Sequence, residues 1–434
     1  MRRIRLAGLN CRNILPKTLD SFLEDGPTLP YNWSQKLRGV VLGICLARSA
    51  VLQDIARTRE GRVKENEKKL SEFLSAKRLD LKDSSRQCAV RTLRRIGKRR
   101  FFRYRGKLIL IVDSTTYVKM RSRGKEQRMP LIGQIRLHNM PTSETLLVPG
   151  YNELWTGLLL KDMSCLGITR RLFTELMSPG FSQNALEEVE IERAIELVRE
   201  AFGLDVIVVA DRGFRRKDLL EWLKKELKTD FVIRLDGKLR VKARGFDSLL
   251  SALGPHWPER LRRFWRDTTK EPILSAIRGS GVTVAMERRR RLGFNVACLT
   301  PINREMEPLF LGTTLPIETR DELSMLVTLY SARWTIETFF YTFKQSLGAG
   351  RFRVFSCWEA VDRLLAMAHM ALLVLCLMFI EGQQAEAGIW RSFWERVELA
   401  RREWFARPLE LTLGEFFRIV AIEFAQRRRA WEAP

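Results

Sequence analysis

The sequence predicts an α/β protein: a sheet of buried and half-buried strands with a β-rich insertion, flanked by helical segments at both ends. Three observations carry that expectation. Two short runs, KLILIVD at Lys107–Asp113 and VIVVAD at Val206–Asp211, have the unbroken hydrophobicity of strands covered on both faces, and each stops at an aspartate. The chain before Arg100 and the chain after Trp358 show helical apolar spacing without strand-like alternation. At 434 residues the chain also exceeds the size at which one core stops growing, so about two to four structural units are expected.

Composition narrows the partners. With 76 Lys+Arg against 51 Asp+Glu, the net charge of +25 calls for a polyanion that offsets self-repulsion. Nucleic acid is the leading expectation, because an anionic membrane would favour one basic amphipathic helix and here the charge is spread along the chain. The seven cysteines are scattered and never at C-x2-C spacing, the pattern of reduced thiols in a cytoplasmic protein. Three histidines leave little for a His-based zinc site, so any metal is expected on oxygen ligands. No signal peptide is expected at the basic N-terminus. LLAMAHMALLVLCLMFI, Leu364–Ile380, approaches the length of a membrane span, but it is short and contains His369, and a buried core helix is expected instead.

Taken in order, residues 1–105 form a basic helical segment, with helices expected over Trp33–Glu60 and Lys69–Ile96. It closes on RTLRRIGKRRFFRYRGK, where Phe101, Phe102 and Tyr104 lie among Arg and Lys side chains, a texture suited to DNA backbone contact. Residues 106–236 hold the two aspartate-terminated strands. Between these, Met129–His138 and Glu144–Tyr151 complete a three-strand meander, and a helix is expected at Asn184–Phe202, another at Arg215–Lys228 and a strand at Asp230–Asp236. Residues 237–311 change to short β-like pieces broken by Pro and Gly, read as an insertion. Residues 312–380 return to the core, and residues 381–434 form a C-terminal helical segment ending in Arg427, Arg428 and Arg429.

YSARWTIETFFYTFKQSL, Tyr330–Leu347, is the most distinctive stretch. Tyr330, Arg333, Glu337 and Lys344 lie at offsets 0, 3, 7 and 14, which on one α-helix fall within a roughly 60° arc. One wet polar stripe on an otherwise buried helix is expected. An i,i+4 Arg/Glu pair alone reads more simply as a surface salt bridge, so the other acids decide. The element order would bring Asp113 and Asp211 side by side on neighbouring strands with Glu337 arriving from a packed helix. Glu318, Asp321 and Glu322 compete for the third position but lack the flanking Arg and Lys. Three converging carboxylates suit two Mg²⁺ ions, with Mn²⁺ as substitute, and phosphodiester displacement.

The sequence resembles the DDE transposases of bacterial insertion sequences, the IS-four type, with its Y-x2-R-x3-E-x6-K signature. Tyr330, Arg333, Glu337 and Lys344 match all four positions, VDST at Val112–Thr115 resembles that family's first aspartate motif, and DRGF at Asp211–Phe214 its second. The resemblance covers about Lys107 to Arg353. It implies an RNase H-like core, Asp113, Asp211 and Glu337 as the metal-binding triad, Arg333 and Lys344 in contact with DNA phosphate near the cut, and Tyr330 helping to position the same strand of DNA. It further implies cut-and-paste transposition by a homodimer holding double-stranded transposon ends, with no membrane partner. Some relatives use an insertion tryptophan during hairpin formation, and Trp257 and Trp265 are the candidates here. The competing readings are a non-catalytic DNA-binding descendant and a stand-alone metal-dependent nuclease.

Overall fold

The computed structural model describes residues 29–119, 129–137, 146–178, 180–243, 245–265, 272–285, 291–302 and 305–384, with a few single positions beyond them. The expected C-terminal helical segment, the basic turn at 120–128 and the run at 286–290 fall largely outside the described residues.

Residues 1–28 of the expected basic helical segment fall largely outside the described residues, and from Tyr31 the chain forms α1 (Tyr31–Ala47), α2 (Leu52–Ala56), α3 (Val63–Ser75) and α4 (Lys82–Ile96). Gly97 ends α4 at φ 78, a conformation that favours glycine, and its N–H closes the last turn on Leu93. A 13-stranded mixed sheet follows. Its first strands are β1 (Arg103–Tyr104), β2 (Lys107–Val118), β3 (Gly133–Leu137), β4 (Leu146–Leu159) and β5 (Cys165–Phe173). After α5 (Gln183–Phe202) come β6 (Val206–Ala210), α6 (Lys217–Lys225) and β7 (Asp230–Leu235).

Strand β2 pairs antiparallel with β4 and parallel with β6, β6 pairs parallel with β7, and β5 pairs antiparallel with β4. Two features differ from the expectation. Strand β4 does not stop at Tyr151, and β5 adds a strand that the three-strand meander lacked. Both stretches are covered on both faces, so they lack period-two alternation, and Asn152, Glu153, Gly167, Thr169, Arg170 and Arg171 break the apolar continuity that marks β2 and β6. The charged residues inside them, Glu153 and Arg170, are buried with their partners.

Residues 237–311 supply β8 (Arg240–Ala243), β9 (Phe246–Leu249), a short helix α7 (Leu250–Leu253), β10 (Glu259–Trp265), β11 (Ile273–Ala285) and β12 (Arg291–Pro301). These strands do not fold into a separate sheet. Strand β13 (Leu309–Thr313) pairs with both β7 and β12, so the hydrogen-bonded ladder runs from the two-aspartate strands straight into this region. Trp257 and Trp265 are both buried, and the indole N–H of Trp265 donates to Ser275 Oγ at 3.0 Å. They are packing residues here rather than exposed platforms.

The chain then forms α8 (Arg320–Ala332), α9 (Thr335–Tyr341) and α10 (Trp358–Gln384). Among the described residues α10 is the one helix long and apolar enough to cross a membrane, and 89% of its most apolar window is buried inside the protein. It packs against α1, α3 and α4 on one side, while His369 Nε2 meets the Gly167 carbonyl of β5 at 2.9 Å on another.

Candidate active site

The two aspartates owe their positions to where one strand ends. Val112 of β2 pairs with Ala210, the last residue of β6. Asp113 and Asp211 therefore follow on adjacent strands, about one interstrand spacing of 4.8 Å apart along the sheet. Strand β2 continues to Val118 because β4 accompanies it, so Asp113 lies inside a strand, not at its end as expected. At Asp211 the chain turns at once: the Phe214 N–H donates to the Asp211 carbonyl at 3.0 Å and the Phe214 ring anchors the turn in the core.

Helix α8 starts with a reciprocal cap. Thr319 Oγ1 accepts from the Glu322 N–H, while the Glu322 carboxylate accepts from the N–H groups of Glu318 and Thr319 at 3.0 Å. Glu322 is thereby committed to the cap and drops out as a rival third acid.

The expected single helix over Tyr330–Leu347 is broken in two places. At Arg333 and Trp334 the N–H groups turn back three residues, to Tyr330 and Ser331, and the Thr335 hydroxyl takes the Ala332 carbonyl at 2.7 Å. A side-chain hydroxyl competing for a helix carbonyl favours such a break. After α9 the backbone widens into one π turn at Thr342–Ser346, closed by the Leu347 N–H on the Thr342 carbonyl at 3.0 Å. Nor is the stripe wet throughout, since Glu337 alone of the first three keeps much exposure. Tyr330 is 1% exposed and Arg333 4%, because both reach inward to the strand ends.

Arg333 Nη1 lies 2.6 Å from Asp113 Oδ2, and Nη2 lies 3.6 Å from Glu337 Oε1. The guanidinium stacks on the Trp334 ring at 4.7 Å, and its Nε has no hydrogen-bond partner among the described residues. The Tyr330 hydroxyl approaches Asp211 Oδ1 at 3.4 Å. Lys344 Nζ is held by Thr115 Oγ1 and by the Thr116 carbonyl at 2.6 Å, over the Tyr117 ring at 4.9 Å. All six expected site residues thus gather around the end of β6 and the adjoining stretch of β2 from Asp113 to Thr116.

The electrostatics follow from burial and crowding. Burial pushes the Asp113 carboxyl up to about 6, with Asp211 adding repulsion, although Arg333 and the Ser114 N–H pull the other way. Burial raises Glu337 to about 7, opposed by Arg333 and reinforced by Asp113 and Asp211. Burial works against the Arg333 charge, but Asp113 and Asp211 outweigh it and hold its pKa above the ordinary value. Burial brings Lys344 down to about 8, and Glu153 opposes that fall.

The donor chemistry fits a hard divalent cation: carboxylates that raise one another's pKa are relieved by added positive charge. The acids do not yet stand as a ready cage. Among the described residues no three His, Cys, Asp or Glu side chains are grouped closely enough to hold a metal, and Arg333 bridges Asp113 and Glu337.

The sequence reading missed a buried polar network beside the site. Glu153 is wholly buried and accepts from the Tyr117 hydroxyl, the Trp155 indole and Arg170, whose other nitrogens reach the carbonyl and carboxylate of Asp362 on α10. The one signal was a lone acid in the apolar stretch YNELWTGLLL. The basic run ending the N-terminal segment is also partly committed inward. Arg94 donates to the Glu200 carbonyl, Arg95 pairs with Glu381 and Lys107 with Asp230, while Lys98, Arg99, Arg100 and Arg103 stay exposed.

With this geometry in view, similarity to known proteins becomes informative. Residues 188–376 match the family described as the transposase DDE domain. The match supports a DDE transposase, a class that acts on DNA and generally uses divalent metal ions. It includes Asp211, Tyr330, Arg333, Glu337 and Lys344, and begins after Asp113. No curated protein matches the chain.

Proposed function

We propose that the protein is an IS-four-type DNA transposase that cuts and rejoins transposon ends in a cut-and-paste reaction. The observation that carries this reading is the convergence of three segments far apart in sequence. Asp113 and Asp211 leave adjacent strands, and the Tyr330–Lys344 segment abandons regular helix to bring Glu337 and its flanking polar groups to them. The order β5-β4-β2-β6-β7, antiparallel then parallel, supports an RNase H-like core. Residues 237–311 are read as its insertion.

Asp113, Asp211 and Glu337 are the metal ligands in this reading. Two Mg²⁺ ions, with Mn²⁺ as substitute, would supply activation of the attacking oxygen and stabilisation of the leaving one. Tyr330 orients the Asp211 carboxylate through its hydroxyl. Arg333 carries a fixed charge beside the acids, suited to a phosphate oxygen, and its Nε–H is buried without a partner among the described residues. Lys344 fixes β2 just beyond Asp113 and supplies a second positive charge. The working complex is a homodimer in the bacterial cytoplasm, with terminal inverted repeats and target DNA as its partners.

One observation favours a second reading. A guanidinium bridging two of the acids is also what a DNA-binding descendant without catalysis would show. A paired measurement separates the two: gel-shift affinity and Mg²⁺-dependent nicking on one labelled end substrate. Glu337→Gln should nick at least about 10²-fold more slowly, the order of effect of losing one charge-stabilising group, while end binding survives. Absence of Mg²⁺-dependent nicking by the wild type with end binding intact would leave only the DNA-binding reading, and nicking by Glu337→Gln, Asp113→Asn and Asp211→Asn at the wild-type rate would place the chemistry outside these three acids.

A further inference from the structure

The face of the sheet that carries Asp113 also carries a carboxylate to which the chemistry above gives no part. Residues opposite one another on antiparallel strands share a face. The register sets Asp113 opposite Trp155, Thr115 opposite Glu153 and Tyr117 opposite Tyr151, and Trp155 is in turn opposite Arg170 on β5. Glu153 therefore stands on the face of Asp113, two residues along the ladder, across from the threonine that holds Lys344.

Glu153 is wholly buried, and its bonds lead to the two aromatic rings on which the third-acid segment rests. Its Oε2 accepts from the Tyr117 hydroxyl and the Trp155 indole N–H, and its Oε1 accepts from Arg170 Nε. The Tyr117 ring centre lies 4.9 Å from Lys344 Nζ. The Trp155 ring meets Phe339 edge-on at 4.9 Å and Phe343 likewise at 4.9 Å. Phe339 follows Glu337 by two positions and Phe343 immediately precedes Lys344. The packing has no slack, since a Cβ at Gly167 of β5 would stand 2.2 Å from the Phe339 ring. On its far side the hub is tied to α10, where Arg170 reaches the Asp362 carboxylate at 2.9 Å and the Asp362 carbonyl at 3.1 Å.

Stability gives little reason for a carboxylate in this position. Well-packed apolar residues often replace a buried ion pair at no loss of stability. What a fully bonded buried network does supply is one fixed geometry for its members. Glu153, Tyr117, Trp155 and Arg170 leave no buried polar side-chain atom without a partner among the described residues. One carboxylate thus locks the ring beside Lys344 and the ring against the helix of Glu337.

We infer that Glu153 is a positioning residue for strand cleavage: through Tyr117 and Trp155 it sets where Lys344 and Glu337 stand relative to Asp113. The inference rests on the DNA-cleaving reading above. Its test compares the full-length wild type with Glu153→Gln, which keeps the shape and removes the charge, and with Tyr117→Phe, which keeps the ring and removes one bond. Tyr117→Phe is also combined with Lys344→Ala, and Leu372→Ala in the buried part of α10 controls for lost stability. Single-turnover nicking is measured per folded molecule at saturating end DNA and Mg²⁺. A displacement of about 1 Å can cost about 10²-fold in rate, so Glu153→Gln should nick about 10²-fold more slowly and Tyr117→Phe roughly tenfold more slowly. On Lys344→Ala, Tyr117→Phe should cost little more, because changes that act through one partner are not additive. A purely structural role would leave nicking per folded molecule at the wild-type level in both single variants, as in Leu372→Ala, and that result overturns the proposal. So does a Tyr117→Phe penalty of the same size with and without Lys344, which keeps the proposal open to refutation even if Glu153→Gln does not fold. A wild type that binds end DNA but never nicks it would instead sink the DNA-cleaving reading, and this role with it.

Discussion

Helix α10 and the Arg320–Leu347 segment are both rich in apolar side chains and both packed inside the protein, yet one is a continuous helix of 27 residues and the other is broken twice. The difference lies in what each must do with buried polar groups. Along the deeply buried stretch of α10 the one such side chain is His369. A single carbonyl, that of Gly167, serves one of its nitrogens, and burial drives its pKa down to about 4, so it stays neutral. The other segment carries Tyr330, Arg333, Glu337 and Lys344, whose partners are distributed over two strands. A straight helix would keep the four in one line along its axis, whereas Asp211, Asp113 and Thr115 lie across the sheet. Leaving a charge unpaired in the interior costs more than a broken turn.

The largest expected effect that tests this contrast is on stability. Leu372 in α10 is fully buried, so Leu372→Ala should cost about 2–5 kcal/mol. Nicking per folded molecule should stay at the wild-type level. Tyr330→Phe should do the reverse, changing stability by about 1 kcal/mol or less while slowing nicking. Thermal unfolding and single-turnover nicking on the same samples check both. Equal losses of nicking per folded molecule in the two variants would erase the distinction.

A smaller effect is expected at the junction. Gly348, just after the π turn, has φ 73, and a Cβ there would stand 2.2 Å from the Arg48 carbonyl oxygen of the α1 terminus. Gly348→Ala should cost about 1–3 kcal/mol from the strained backbone, and it should also reduce nicking by shifting Lys344. Unchanged nicking in a destabilised Gly348→Ala protein would show that the junction supports only the fold.

The smallest expected effect is a pH slope. Asp113 and Glu337 titrate higher in the folded protein, about 6 and about 7, than in the unfolded chain. The folded state therefore holds more protons between roughly pH 4 and 7, and stability contributed by these groups is present at acid pH and lost as pH rises through those values. Melting temperature of the metal-free protein should fall over that window, and Asp113→Asn should flatten the fall. Glu337 is half exposed, so its share is the lesser. The same slope in wild type and Asp113→Asn would place its origin elsewhere.

The sequence by itself determined most element types and singled out the six side chains that the fold gathers. Continuous apolar runs marked β2 and β6, and the spacing of Tyr330, Arg333, Glu337 and Lys344 singled out the residues that gather with Asp113 and Asp211. Such features are local, and hydrophobic periodicity reports them. Tertiary structure alone decided the rest. β5 was invisible because Gly167, Thr169, Arg170 and Arg171 interrupt its apolar run, so it shows neither alternation nor the continuity that marked β2 and β6. The strands of residues 237–311 extend the same sheet because β13 offers both edges, a pairing between distant segments that neither one encodes alone. The break at Arg333 and the Glu153–Arg170–Asp362 network arise for one shared reason: a buried charge takes its geometry from partners that only the folded chain brings within reach.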